Sequence, residues 1–251
     1  MGVKSFVSES LLSHPKLWFF AKNALRSVKG NRDAEEALLP FLVHTNGIAL
    51  DVGANRGIYT RILLARNRHV VSIEPNPDCA RILERVFKNH VRVIAGAASN
   101  TNGEATLRVP ARGDGLGTIE SGNQFSDAFK TVTVKTFRID DLGLENVTFM
   151  KVDVEGHEMS VLEGAMEILK RDRPTILLEA EERHHPGAVR SVRALLEPLN
   201  YEGFMLEHGT LGSIRRFDAA VHQSAETAKA RSLDGHTPNA YINNFFFIPT
   251  A

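Results

Sequence analysis

The sequence predicts an α/β protein built on a doubly wound, mostly parallel sheet, and three observations carry that expectation. Apolar runs at residues 48–52, 70–73, 91–95, 148–152 and 175–178 lack polar alternation, as strands covered on both faces do. Segments with apolar residues at helical intervals separate most of them. Four of the runs lead into a carboxylate, Asp51, Glu74, Asp153 and Glu179, and in open α/β sheets ligands bind beyond the carboxyl ends of the strands.

Residues 9–29 and 33–43 have helical spacing, the second with Leu38, Leu39 and Leu42 on one side and Asp33 available as N-cap. They form an expected N-terminal helical segment, residues 1–44, packed on a main domain of residues 45–251. The first strand stops at Asp51 and turns through Asp51-x-Gly53-Ala54-Asn55-x-Gly57 into a helix bearing Tyr59, Thr60, Ile62 and Leu63. A dinucleotide site needs G-x-G-x-x-G, whose second glycine admits the pyrophosphate. Here Asn55 stands in that place and Asp51 at the mouth repels phosphate. S-adenosylmethionine carries a sulfonium and an ammonium and no phosphate, so it suits such a turn better than a nicotinamide dinucleotide.

The second strand ends in Glu74-Pro75-Asn76-Pro77, where Asn76 can cap a helix that starts at Pro77. Glu74 is placed to accept hydrogen bonds from ribose hydroxyls. A third strand, residues 91–95, runs into small residues around Ala97 that would let an adenine lie against the backbone. Residues 104–109 and 131–137 alternate as half-exposed strands do, and the polar, glycine-rich stretch 110–130 between them reads as a flap near the acceptor site.

Residues 148–158 form the second informative stretch. A buried strand runs into Lys151, Asp153, Glu155, Gly156 and His157, then a helix carries Met159, Leu162, Met166 and Leu169 on one stripe. Extended geometry would put Lys151, Asp153 and Glu155 on one side. After Glu179, a helix near 187–199 and strands at 204–206 and 241–248 close the chain, with a loop or short helix over 218–238. Glu181, His184 and His185 lack tight ligand spacing, so no metal is expected.

Thirty basic and thirty acidic residues give zero net charge, which argues against bulk attraction to nucleic acid or anionic lipid. A single cysteine, Cys79, excludes an internal disulfide and fits a reducing compartment, so the cytoplasm is the expected location. No apolar run approaches the ~20 residues of a membrane span, and Glu9, His14, Pro15 and Lys16 interrupt any signal-peptide core. The apolar patch 17–20 reads as a core contact. A homo-oligomer is compatible with all of this.

The joint order of these motifs, with the turn at Ile139-Asp140-Asp141-Leu142 and the terminal run Asn244-Phe245-Phe246-Phe247, resembles the FkbM family of S-adenosylmethionine-dependent methyltransferases over residues 45–249. The resemblance implies a class I (Rossmann-like) methyltransferase fold of seven strands, the last antiparallel. It also implies O-methylation of a hydroxyl on a small-molecule, glycan or glycolipid acceptor such as a sugar or polyketide. Arg56 and His157 depart from the family pattern, which often has an apolar residue and Ala there. The candidate cofactor-binding residues are Asp51, Gly53, Asn55, Gly57, Tyr59, Thr60, Glu74, Pro75, Ala97 and Asp153. The candidate catalytic residues are Asp153 first, then Glu155 and His157, as base or acceptor-orienting groups. A nicotinamide oxidoreductase and a non-catalytic adenosine-binding protein are the alternatives.

Overall fold

The structure is a computed structural model that describes residues 34–110, 117–120, 128–224, 227 and 241–250. The helix expected over 9–29, the Asp33 cap, the patch at 17–20 and most of the 110–130 flap lie outside the described residues. Within 33–43 the described chain forms a 3-10 turn, Ala34–Ala37, and one short helix, α1 (Leu39–Leu42), with Pro40 in its first turn.

Eleven strands follow among the described residues: β1 (Ile48–Val52), β2 (Val70–Glu74), β3 (Val91–Ala95), β4 (Ala97–Ala98), β5 (Gly103–Pro110), β6 (Phe129–Phe137), β7 (Val147–Val152), β8 (Thr175–Glu179), β9 (Tyr201–Glu207), β10 (Thr210–Ser213) and β11 (Asn244–Pro249). The helices are α2 (Ile58–Leu64), α3 (Pro77–Phe87), α4 (Glu158–Glu163), α5 (Met166–Arg171), α6 (Ala188–Leu196) and α7 (Ala219–His222). Eight strands form the main sheet in the order β10-β9-β11-β8-β7-β1-β2-β3, and β4-β6-β5 form a small second sheet. In the main sheet β8, β7, β1, β2 and β3 are parallel, and β11 lies antiparallel between β8 and β9.

The expected α/β sheet with its antiparallel last strand is therefore present. It carries one strand more than the seven expected, because β9 turns back into β10 at the edge. The two turn residues, His208 and Gly209, both have positive φ (48° and 73°), the backbone that a tight hairpin of matching twist requires.

Alternation of side chains across the central strands supplies both core faces. Met150, Ile176, Leu178, Phe245 and Phe247 point to the side covered by α4, α5 and α6. Phe149, Leu177 and Phe246 point to the other, against Leu39, Leu63, Leu83 and Phe87 of α1, α2 and α3. The helix expected after residue 157 is two helices, broken at Gly164. A Cβ there would lie 1.9 Å from the Ser99 carbonyl oxygen, so the chain passes against the end of β4 where only glycine fits. Asp140, in the 3-10 turn Ile139–Leu142, accepts from the amides of Glu167 and Ile168 at 3.1 Å each and restarts the helix as α5.

Candidate active site

The exit of β1 is shaped by its neighbours. Gly53 and Ala54 donate their amides to the Ile73 carbonyl at 3.0 and 3.1 Å, and Gly53 has φ +79°. A Cβ on Gly53 would sit 1.8 Å from the Asp153 carbonyl oxygen. The glycine thus lets the ends of β1 and β7 close on each other. Asn55, also left-handed at φ +49°, turns its amide onto Glu74 Oε2 at 2.6 Å, while the Asn76 amide donates to Glu74 Oε1 at 2.8 Å. Asn76 caps α3 by accepting from the Asp78 amide at 3.0 Å, as its sequence position suggested.

A cleft of about 630 Å³, including its open mouth, lies over these strand ends. Gly53 and Asn55 line it from β1, Ile73, Glu74 and Pro75 from β2, and Ala97 and Ala98 from β4. Leu107, Gly117 and Ile119 close one side, and Asp153, Val154, Glu155 and His157 the other. Eight of the twelve expected cofactor or catalytic positions thus meet in one place: Gly53, Asn55, Glu74, Pro75, Ala97, Asp153, Glu155 and His157.

Asp51, Gly57, Tyr59 and Thr60 are not in that lining. Asp51 is buried behind the turn, where its Oδ2 accepts from Thr60 Oγ1 at 2.5 Å, and Thr60 Oγ1 lies 2.9 Å from Ser72 Oγ. Asp51 and Thr60 therefore brace β1, α2 and β2 from below. Gly57 starts α2 at φ +84°, and a Cβ on it would meet the Phe87 and Leu83 side chains at 2.6 and 2.7 Å, so it serves helix packing. The Tyr59 ring stacks under the Lys151 ammonium, 5.0 Å from the ring centre.

β7 ends at Val152, and Glu155 takes φ +52°. The extended alternation expected for Lys151, Asp153 and Glu155 breaks there. Lys151 is sealed in the core with its side chain 1% exposed, whereas the Asp153 side chain is 32% exposed at the cleft. Glu155 Oε2 lies 3.2 Å from His184 Nε2, and the Glu155 carbonyl accepts from Thr118 Oγ1 at 2.9 Å.

Two partners of His157 were not legible in the sequence. Glu120 Oε1 lies 2.5 Å from Nδ1, and Ser99 Oγ lies 2.9 Å from Nε2. These contacts join residues 37 and 58 positions apart, so no local spacing announces them. They anchor segment 117–120, which also pairs with β5 through an Arg108–Thr118 bridge, across the cleft.

Burial sets the electrostatics. It raises the Asp51 carboxyl to about 6, against the Thr60 hydrogen bond and the Lys151 charge. It raises Glu74 to about 7, against the amides of Asn76 and Asn55, and Glu158, which accepts from the Gly156 amide at 2.9 Å, also to about 7. Burial, with the charge of Asp153 next, holds Glu179 well above the usual carboxylate range. Among the described residues no group of three or more His, Cys, Asp or Glu is placed to hold a metal ion, and no helix is long and apolar enough to cross a membrane.

The sequence profile of the methyltransferase FkbM domain matches residues 51–205, which spans β1 to β9 and every strand end around the cleft. The chain belongs to the FkbM methyltransferase family. Membership sets aside the nicotinamide oxidoreductase. Among curated relatives, the chain is 26% identical over 222 residues to the 2-O-methyltransferase NoeI of Sinorhizobium fredii, covering 79% of this chain and 90% of NoeI. It is 28% identical over 156 residues to the hexuronic acid methyltransferase AglP of Haloferax volcanii, covering 58% of this chain and 61% of that one. The crystal structure of an FkbM methyltransferase from Methylobacillus flagellatus superposes with a TM-score of 0.52 at 19% identity, over 81% of this chain and 44% of that chain. The chain thus spans less than two thirds of these last two proteins. The M. flagellatus likeness speaks for the fold alone.

Proposed function

We propose that the protein transfers a methyl group from S-adenosylmethionine to a hydroxyl of a sugar or sugar-bearing acceptor. One observation carries this reading: Glu74, at the end of β2, is fixed by two backbone amides with its carboxylate in the cleft wall. A carboxylate offers about four acceptor positions, so two remain for a vicinal diol. Beside it Ile73, Pro75, Ala97 and Ala98 give an apolar wall for an adenine, and Gly53 and Asp153 lie where a cationic amino-acid portion would be held. No Lys or Arg lines the cleft among the described residues. The residues therefore fit the donor that the family implies.

The donor supplies an electrophilic methyl carbon on a sulfonium. An acceptor oxygen would displace the sulfur in line, and because charge would be consumed as the bond forms, alignment by the cleft residues would outweigh any anion-stabilising pocket. Asp153, partly exposed at the cleft, takes the hydroxyl proton on its carboxylate oxygen. Glu155 and His157 line the same side and orient the acceptor, with His157 held by Glu120 and Ser99. The names of the two curated relatives, a 2-O-methyltransferase and a hexuronic acid methyltransferase, support oxygen transfer and a sugar acceptor.

The test is methyl transfer from isotopically labelled S-adenosylmethionine to a panel of monosaccharides, oligosaccharides and glycolipids, with non-sugar amines alongside. Label on a sugar oxygen of one panel member, abolished with Asp153→Asn, is the expected outcome. Label that goes only to nitrogen-containing non-sugar acceptors would refute the acceptor class.

A further inference from the structure

A buried cation remains that the reaction as described does not use. Lys151 is the only Lys or Arg among the buried described residues. Its ammonium donates to Asn244 Oδ1 at 3.2 Å and lies 3.8 Å from Asp153 Oδ2 and 4.0 Å from Glu179 Oε2. The Asn244 amide is turned by its own bond to Asn243 Oδ1 at 3.4 Å, and Asn243 donates to Glu179 Oε1 at 2.6 Å. Four elements, α2, β7, β8 and β11, thus converge on one ammonium. Desolvating an ammonium costs several kcal/mol, and a hydrophobic side chain of the same length packs a strand equally well. The charge itself must therefore be useful.

The groups around it are nearly all acidic. Asp51 of β1, Asp153 and Glu179 feel its charge directly. Behind them stand Glu74 and Glu158, each burdened by the charge of Asp153, and Glu155 and Glu181, which burden Glu179. Other basic groups facing this network are His184 beside Glu155, Arg183 on Glu181 and His157 on the same cleft wall. Burial drives Asp51 and Glu179 toward their neutral forms, and Lys151 opposes that drive in both.

We propose that Lys151 is a positioning residue: from behind the strand ends its ammonium, 3.8 Å from Asp153 and 4.0 Å from Glu179, holds the Asp153 carboxylate in place at the cleft wall, where it faces a cationic donor. The ammonium is 1% exposed and the Asp153 side chain 32%, so the carboxylate and not the ammonium is presented to a sulfonium or an ammonium in the cleft. The proposal deepens the donor reading given above and rests on it.

Calorimetric titration with S-adenosylmethionine, from about pH 6 to about pH 9, tests it on the parent protein, Lys151→Met and Lys151→Arg. The Met variant is expected to bind about tenfold or more weakly near pH 7 and to recover toward the parent near pH 9, as the carboxylates ionise without help. The Arg variant keeps the charge and is expected to keep the parent's pH dependence, which also serves if the Met variant does not fold. A Met variant that binds normally near pH 7, a deficit equal at every pH, or an Arg variant whose profile shifts by a full pH unit would each overturn the role of Lys151. A parent protein that ignores the donor at every pH would overturn the donor reading instead.

Discussion

At the level of single residues Glu74 holds the donor, while Asp153 faces the donor's cationic portion and acts on the acceptor. Glu74→Gln keeps the shape and removes the charge. It is expected to weaken S-adenosylmethionine binding about 10- to 100-fold, the worth of one or two charge-assisted hydrogen bonds, with the fold intact but about 1 to 3 kcal/mol less stable, since the new amide nitrogen cannot accept from one of the two backbone amides that hold Glu74. Asp153→Asn is expected to lower turnover about 100-fold or more and donor affinity much less, because it removes a proton acceptor. Equal losses in both, by calorimetry and steady-state assay, would make Asp153 a donor ligand only. His157→Ala severs the contacts to Glu120 and Ser99 that hold segment 117–120. Donor affinity should stay within about threefold, while the acceptor KM rises. Glu74 was legible in the sequence because a carboxylate at the end of a second buried strand is a local pattern, read within a few residues of the turn. Glu120 and Ser99 were not, because they meet His157 only through the fold.

At the scale of the element, close approach decides which glycines matter. Gly164 divides α4 from α5 with ordinary negative φ (−76°), and a Cβ there strikes the Ser99 carbonyl. Gly164→Ala is expected to cost about 2 kcal/mol or more by urea unfolding, since backbone must move. Gly143→Ala, at φ +63° with nothing within 4 Å of the added atom, should cost only about 1 kcal/mol of backbone strain. Similar losses at the two sites would show that α4 and α5 are not pressed against β4. Periodicity announced the strands of the main sheet, whose apolar runs are dictated by burial on both faces. It ran through Gly164 as one helix, because the stripe of Met159, Leu162, Met166 and Leu169 continues across a break that tertiary contact alone imposes. It also carried β7 past Val152, since strand alternation cannot foresee the positive φ at Glu155.

For the whole molecule, the acidic strand ends make stability depend on pH in an unusual sense. Asp51 at about 6 and Glu74 and Glu158 at about 7 all lie above the ordinary 3.8 and 4.5. Groups raised on folding bind more protons in the native state than in the unfolded one. Their stabilising effect is complete below the ordinary values and is lost as pH rises through about 6 to 7. The protein without ligand should therefore be more stable to urea near pH 5 than near pH 8, by about 1 kcal/mol or more, and S-adenosylhomocysteine should shrink the difference. A flat profile would mean that these carboxyls titrate normally. The fold thus tolerates costly carboxylates where four of its five parallel strands end, and the central claim is that they exist to hold a phosphate-free adenosine donor. The most direct measurement is a calorimetric titration of the protein with S-adenosylmethionine beside one with a nicotinamide dinucleotide. Saturable binding of S-adenosylmethionine in the micromolar range, with no heat from the dinucleotide, is the expected result. Tight binding of the dinucleotide and none of S-adenosylmethionine would contradict the account.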